Sequence, residues 1–261
     1  MNQFVLLMKK EWLENNRSYK LYWIPVLFIL LGITEPVVNY FLPQILEASG
    51  GMPDGAVFEI PTPTPEQVLI AVMGQFQTIG IAVLILAYMG TVAGERRSGT
   101  ATLFYVRPLS FGALFFSKWT MASLVSLLSV WIGFLAGYYY TFLFFGPVAW
   151  PNFLGMIAIY SVWVVFVVTL VVVASAALPN SGLAAAVAFG LFVFFQLMDS
   201  LVGMNWTISP VKLPEYSAAY LSRSLATNEL WGAIGLAGLI IMGLCSYGVW
   251  AAQKNKAKTK V

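Results

Sequence analysis

Six long stretches of the chain contain almost no charged residues, and they limit the folds that this sequence can adopt. A helix needs roughly 20 residues at 1.5 Å each to cross a hydrocarbon core of about 30 Å, and each stretch reaches that length. Strands of a transmembrane barrel would be about ten residues long and alternate in polarity, whereas these stretches are apolar on all sides. The sequence therefore predicts an all-α polytopic membrane protein with six transmembrane helices. The predicted spans are Leu21–Leu42, Gln67–Ala93, Trp119–Phe145, Asn152–Leu178, Leu183–Met204 and Leu230–Ala252.

The composition agrees with this class and excludes several kinds of site. Apolar residues make up 59% of the 261 residues and charged residues 10%, far from the balance of a soluble domain. The sequence contains no histidine and one cysteine, Cys245. These are the usual ligands of haem, zinc and iron-sulfur centres, so we expect no metal site and no disulfide within the chain.

The placement of lysine and arginine predicts the orientation, because loops on the cytoplasmic side of a membrane retain positive charge. With both termini in the cytoplasm, only Lys212 and Arg223 of the 14 basic residues fall outside. The loop from Pro43 to Glu66 then lies outside with acidic residues and no base. We therefore expect a multi-pass protein of the plasma membrane with both termini in the cytoplasm. The basic residues on the cytoplasmic side are Lys9, Lys10, Arg17, Lys20, Arg96, Arg97, Arg107, Lys118, Lys254, Lys256, Lys258 and Lys260.

The whole chain, residues 1–261, is predicted to form one transmembrane domain with charged segments at both ends. Residues 1–19 form an amphipathic leader helix that lies in the inner membrane interface. The basic tail, residues 253–261, is expected to contact lipid headgroups rather than nucleic acid. The first apolar run is long and lacks a cleavage pattern, so we expect the first span to remain in the protein. The apolar face of the leader comprises Phe4, Leu7, Met8 and Trp12.

Residues 94–118 form the long cytoplasmic loop, with the sequence GERRSGTATLFYVRPLSFGALFFSK. Gly99 interrupts its helical tendency, and Pro108 can end the segment after that glycine. Ser110 is a suitable N-cap for a helix that continues through Lys118 into the third span. This punctuation predicts a rigid cytoplasmic projection. From the residues alone, an anchor whose arginines contact lipid phosphate remains an alternative.

The order E-R-x-S-G-T, then R-P-L-S, then a lysine that opens the third span resembles the signature of type-2 ABC exporter permeases. The resemblance implies that this segment is the coupling region, with a coupling helix that faces an ATPase, and that the chain starts with an interfacial helix. Phe104 and Tyr105 make the segment bulkier than in many such permeases, which often have small residues there. The matching positions are Glu95, Arg96, Gly99, Thr100, Pro108, Leu109, Ser110 and Lys118, and the coupling set also includes Arg97.

The resemblance also implies the partners and the activity. The chain has no G-x-x-x-x-G-K-[ST] phosphate loop, so ATP and Mg would be bound by a separate cytoplasmic ABC ATPase and this chain would bind no cofactor of its own. The expected assembly contains two ATPases and two permeases, as a homodimer or a related heterodimer, among membrane lipids. The chain would be a transport subunit and not an enzyme.

The cargo is open, and the polar residues inside the spans are the available evidence. They lie at similar depth, roughly 20 to 25 Å from the inner edge, and could line a translocation pathway or an outer gate. Contact with headgroups is the alternative. The apolar walls below favour hydrophobic or amphipathic cargo, such as antimicrobial-type or toxin peptides, lipophilic drugs or lipids. The residues are Glu35, Asn39, Gln75, Gln77, Gln196 and Asp199.

Two other classes of protein stay open at this point. A secondary transporter or channel that works alone would favour repeated halves with broken helices, and we see no convincing repeat. An intramembrane enzyme would need a nucleophile and a base at depth, for which Asp199 and Glu35 are weak candidates.

Overall fold

The computed structural model of the chain describes residues 3–48, 62–97, 110–203, 206–222 and 227–256. Nearly all of these residues are helical, and none of them forms a strand, which confirms the predicted all-α class. Six helices are long and apolar enough to cross a membrane, as predicted. They are Lys20–Ile45, Pro65–Arg97, Phe111–Phe145, Trp150–Ala177, Ser181–Val202 and Asn228–Asn255, which we call the first to the sixth span.

The third span differs most from its predicted bounds, because it begins at Phe111 rather than Trp119. The Ser110 side chain caps this helix by accepting a hydrogen bond from the Ala113 amide at 3.5 Å. The expected helix through Lys118 is therefore present, and it continues without a break to Phe145.

The remaining elements lie at the two ends of the bundle. A leader helix precedes the first span, and short helices connect the fifth span to the sixth. We call the end of the bundle next to the leader helix the leader end and the opposite end the far end. The bounds are Gln3–Arg17 for the leader helix, Lys20–Ala48 and Thr227–Lys256 for the full first and sixth helices, and Pro210–Lys212 and Leu213–Leu221 for the connecting helices.

The second span consists of several helical pieces. It begins with a capping box, in which the Thr64 hydroxyl accepts from the Gln67 amide and the Gln67 side chain accepts from the Thr64 amide. A five-residue π-helix, Phe76–Gly80, then interrupts the α-helix between Pro65–Gln75 and Ile81–Tyr88. The span ends in the short helix Ala93–Arg97. A π-helix shifts the direction in which the following side chains point, so the two halves of this span face different neighbours.

A line of packed aromatic rings connects the first four spans. The ring of Phe28 meets Phe76 at 4.9 Å, Phe76 meets Phe134 at 4.6 Å, and Phe134 meets Tyr160 at 5.4 Å between centroids. All four side chains are buried. The fourth span lies at the centre of the bundle. In its most apolar 18-residue stretch 72% of the residues are buried, whereas in that of the fifth span 17% are buried. The exposed apolar faces of the outer spans fit contact with lipid or with another span.

Close contact between the first and third spans depends on glycines. A Cβ atom on Gly133 would lie 2.6 Å from the Phe28 carbonyl oxygen and 2.8 Å from the Phe76 ring, and one on Gly137 would lie 3.1 Å from the Gly32 carbonyl oxygen. The G-x-x-x-G of the third span therefore packs within the chain. Glycines of the sixth span such as Gly235 and Gly238 have no such neighbours.

The leader helix packs against the third span with a different face from the one that apolarity alone suggests. Its buried residues are Leu7, Glu11 and Asn15, spaced four apart on one side of the helix. Trp12, by contrast, is 53% exposed. The leader thus buries a carboxylate against the bundle and leaves a large aromatic side chain on the outside.

The glycine contact generates a stability prediction. Gly133→Ala should lower the free energy of unfolding by about 1–3 kcal/mol, because the added methyl group overlaps backbone that cannot move aside. Thermal unfolding in detergent, followed by tryptophan fluorescence, measures the effect. Gly235→Ala is the matched control, since the methyl group meets open space there. Equal unfolding temperatures for the two variants would contradict this account of the packing.

Candidate functional site

A buried lysine joins three elements at the leader end. Lys118, in the first turns of the third span, has a side chain that is only 1% exposed. Its ammonium nitrogen lies 2.9 Å from Glu11 Oε1 of the leader helix and 2.8 Å from Glu95 Oε1 at the end of the second span. One positive charge therefore holds together the leader helix, the end of the second span and the start of the third span.

Lys10 extends this group of charges toward the surface. Its ammonium group pairs with Glu95 and lies 2.9 Å from Glu11 and 3.0 Å from Glu14. We call the five residues Lys10, Glu11, Glu14, Glu95 and Lys118 the leader network. Because carboxylates and ammonium groups alternate, each buried charge has an opposite charge in direct contact, as burial requires.

The surroundings shift the pKa values of the outer members. Burial lowers the pKa of Lys10, but the carboxylates of Glu95 and Glu11 outweigh this and raise it above its ordinary value of 10.5. Burial raises the pKa of Glu14, but Lys118 and Lys10 hold it below its ordinary value of 4.5. The contribution of Lys10 to stability is therefore complete below 10.5 and lost as the pH rises through the raised pKa, while that of Glu14 is present above 4.5 and lost as the pH falls.

Arg96, predicted to take part in ATPase coupling, lies against the end of the fourth span. Its Nη2 atom donates to the carbonyl oxygens of Ser175 at 2.6 Å and Leu178 at 2.7 Å. The amide of Asn255 from the sixth span donates to the neighbouring carbonyls of Ala176 and Ala177, at 3.0 and 3.1 Å. The last carbonyl groups of a helix lack partners within the helix and attract positive charge. Arg96 and Asn255 thus cap the fourth span and attach it to the second and sixth.

The other predicted coupling residues have varied positions. Arg97 is exposed, and so is Ser110, whose amide donates to the Gln3 side chain at 3.3 Å. Glu95 and Lys118 belong to the leader network. Gly99, Thr100 and Pro108 lie outside the described residues. The coupling role of the whole set remains a prediction.

The polar residues inside the spans fall into three separate groups rather than one layer. In the first group, Glu35 accepts hydrogen bonds from Gln75 Nε2 at 2.9 Å and from Asn39 Nδ2 at 3.1 Å. Asn39 also donates to the Glu35 carbonyl oxygen at 2.9 Å. This group joins the first span to the second, about 22 Å from the start of the first span by the helical rise.

Gln77 forms the second group, with the fourth span. Its Oε1 atom accepts from the indole of Trp163 at 2.7 Å and from the hydroxyl of Tyr160 at 3.5 Å. Gln75 and Gln77 are two residues apart at the start of the π-helix, yet they contact different spans. The sequence indicated their shared depth but not this division.

The third group lies at the far end of the fifth span. The Lys212 ammonium group lies 3.4 Å from Asp199 and 2.6 Å from Glu215. Burial lowers the pKa of Lys212, but these carboxylates raise it overall. Gln196, one turn before Asp199, is partly buried. The three groups are consistent with polar contacts between spans, and their role in a pathway or gate remains a prediction.

The sequence pointed to Glu95 and Lys118 as site residues but not to the other three members of the leader network, Lys10, Glu11 and Glu14, of which Glu11 is the most buried. The spacing of Leu7, Glu11 and Asn15 was the available signal, because it places a carboxylate on one line with a leucine. The buried partner of Glu11, Lys118, lies 107 residues later in the chain, so the residues around Glu11 do not reveal the contact.

Removal of the central charge should loosen the leader helix. Lys118→Met leaves Glu11 and Glu95 with only Lys10 as a counter-charge, and we expect a loss of about 3 kcal/mol of unfolding free energy. Thermal unfolding and the rate at which chymotrypsin, which cleaves after aromatic residues such as Trp12, cuts the leader helix report the effect. Lys9→Met removes an exposed lysine from the same helix and should change neither. A Lys118→Met protein as stable as this control would show that the network does not hold the leader.

The two neighbouring arginines should differ in their effect on stability. Arg96→Ala removes the cap of the fourth span and should cost about 2 kcal/mol, since it leaves helix-terminal carbonyls without a charged donor. Arg97→Ala changes an exposed side chain and should leave the unfolding temperature nearly unchanged. The comparison in one detergent at one pH is the measurement. An equal effect of both substitutions would disprove the capping role.

Comparison with known proteins agrees with this architecture. The model of the ABC-2 family of transporter proteins matches residues 5–214. The chain is also 31% identical over 259 residues to the uncharacterized transmembrane protein YxlG of Bacillus subtilis strain 168, and the match covers 98% of this chain and 100% of that protein. The family consists of membrane subunits of ABC transporters, which places this multi-pass protein in the cell membrane of a bacterium. The chain belongs to the ABC-2 family of transporter membrane proteins.

Proposed function

We propose that this permease subunit exports hydrophobic or amphipathic cargo and is driven by a separate ABC ATPase. The observation that carries the proposal is the leader network. It joins the leader helix, the end of the second span and the start of the third span into one unit. These are the elements that flank the coupling region, so a force applied there would act on all of them together.

The exposed and buried coupling residues would have different tasks. Arg97 and Ser110 are accessible to a soluble partner, whereas Glu95 and Lys118 are engaged inside the chain. In the proposed mechanism, the ATPase contacts the exposed groups and the buried ion pairs transmit the movement. Arg96 extends the connection to the fourth span, at the centre of the bundle.

Two permease copies and two ATPases are the proposed assembly, with ATP and Mg bound by the ATPases. Closure of the ATPase pair on ATP would move the two leader ends and shift the permeases between a closed and an open arrangement. The permease would supply the pathway and the coupling surface, without bond chemistry of its own. The second copy could be identical or a related chain, and membrane lipids would surround the exposed apolar faces.

The nature of the cargo is proposed from the interior of the bundle. The buried surface of the first four spans is dominated by aromatic and aliphatic side chains. Such walls offer few ligands to a dehydrated small ion. Peptides of the antimicrobial or toxin type, lipophilic drugs and lipids are compatible with these walls, and all of them would leave the cell in this scheme.

Purification of the tagged chain from its native membranes in mild detergent tests the partner. We expect an ATPase with a phosphate loop to remain bound, as identified by mass spectrometry. Arg97→Ala should reduce its recovery severalfold, because the substitution removes an exposed charge without disturbing the cap of the fourth span. Lys9→Ala also removes an exposed positive charge from the leader end, so it is the matched control for a general loss of positive charge.

The opposite result would favour a different class of protein. A chain that is recovered alone and still transports its cargo in liposomes without an ATPase would be a secondary transporter. Full recovery of the ATPase with Arg97→Ala would remove this arginine from the contact surface.

A further inference from the structure

A cavity of about 440 Å³ lies at the far end, between the first and third spans and the start of the second. Its volume is in the range of sites for small organic molecules. The rings of Tyr40 and Phe144 stack at 4.4 Å between centroids on its wall, and Phe145 and Pro63 add apolar surface. Asn39 provides a polar group to the same lining.

Asn39 connects this cavity to the carboxylate of Glu35. Its side-chain nitrogen donates to Glu35 Oε2 at 3.1 Å, one helical turn further into the span. Gln75 donates to the other carboxylate oxygen at 2.9 Å, while its own Oε1 atom is buried and has no hydrogen-bond donor. The Glu35 carboxylate therefore lies directly behind Asn39, which lines the cavity, although neither Glu35 nor Gln75 is itself part of the lining.

The charge of Glu35 lacks a counter-charge in the part of the chain that the structure describes. Its partners are two neutral amides, and no lysine or arginine there lies within ion-pair distance of it. Asp199, by contrast, has the Lys212 ammonium group 3.4 Å away, and Glu11 has Lys118. A carboxylate within a span is costly unless a positive charge or water compensates it. A cation with hydrogen-bond donors would compensate this charge.

The aromatic wall supplies the second half of such a site. Aromatic faces attract cations and also bury apolar groups. A molecule with an ammonium group and an aromatic or aliphatic body would place the body against Tyr40 and Phe144. Its ammonium group would then lie beside Asn39, whose side chain contacts the Glu35 carboxylate.

We propose that the cavity lined by Asn39, Tyr40 and Phe144, with the Glu35 carboxylate directly behind Asn39, binds the ammonium group and adjoining apolar part of amphipathic cations. These are the class of cargo that the permease would hold at its far end, on the exit side, before release. This assignment rests on the proposed function, because it assumes that molecules in the pocket are cargo. The binding itself depends on this chain alone, without the ATPase.

Dansylcadaverine is a suitable probe, since it joins a fluorescent aromatic ring to a primary ammonium group. Its N-acetyl derivative has nearly the same shape without the charge. Binding of both to the purified chain in phosphatidylcholine nanodiscs is measured by fluorescence anisotropy, with empty nanodiscs as the blank. We expect the cation to bind about tenfold more tightly than the acetylated form, the effect of one charged hydrogen-bonded contact.

Glu35→Gln should reduce this preference to about twofold or less, because it removes the charge and keeps the size of the side chain. Glu66→Gln is the matched control. Glu66 lies near the start of the second span and lines a different cavity, so the preference should be unchanged. Phe144→Ala should weaken binding of both probes, since both use the aromatic wall.

Three results would overturn the proposal. They are equal binding of the two probes to the unchanged protein, an unaltered preference in Glu35→Gln, or the same loss in Glu66→Gln. The first result needs no variant and so does not depend on the folding of Glu35→Gln. If an ATPase is recovered with the chain but the probes bind equally, the pocket assignment fails and the exporter proposal stands. If the probes behave as expected but no ATPase is recovered, the pocket stands and the exporter proposal fails.

Discussion

The ion pairs of Lys118 are the interaction on which the leader end of the bundle depends. An ammonium group with almost no access to solvent requires carboxylates beside it, and here they come from two other elements, as Glu11 and Glu95. The requirement works in both directions, because without Lys118 the two carboxylates would share the partly exposed Lys10 as their counter-charge. The geometry of the leader helix relative to the second and third spans is therefore set by charge as well as by apolar contact.

The end of the second span is also held by hydrogen bonds to the end of the fourth span. Arg96 and Asn255 satisfy its last carbonyl groups, and the Ser175 hydroxyl accepts hydrogen bonds from the Val92 and Ala93 amides. Two adjoining sets of polar contacts therefore flank the end of the second span, one with Lys118 and one with the fourth span. Between the spans, packed aromatic rings and close glycine contacts continue the connection toward the far end.

The six spans and the Ser110 cap could be predicted from the sequence, because the length of an apolar run and a polar residue at its start are local properties. The partners of the charged residues could not. Arg96 was expected to contact lipid or an ATPase, and its carbonyl partners lie about 80 residues later in the chain. Gln75 and Gln77 were predicted to share a role, but the π-helix that turns them toward different spans leaves no clear signal in side-chain chemistry.

The distance in sequence between Glu11 and Lys118 has a consequence for biosynthesis. The leader helix is synthesised before the spans, and Lys118, which pairs with its buried carboxylate Glu11, is synthesised 107 residues later. Until the third span emerges, the leader with Glu11 can only remain in the aqueous interface, where water solvates the charge. Docking of the leader is therefore a late event in membrane insertion. It takes place only after the second and third spans have been inserted.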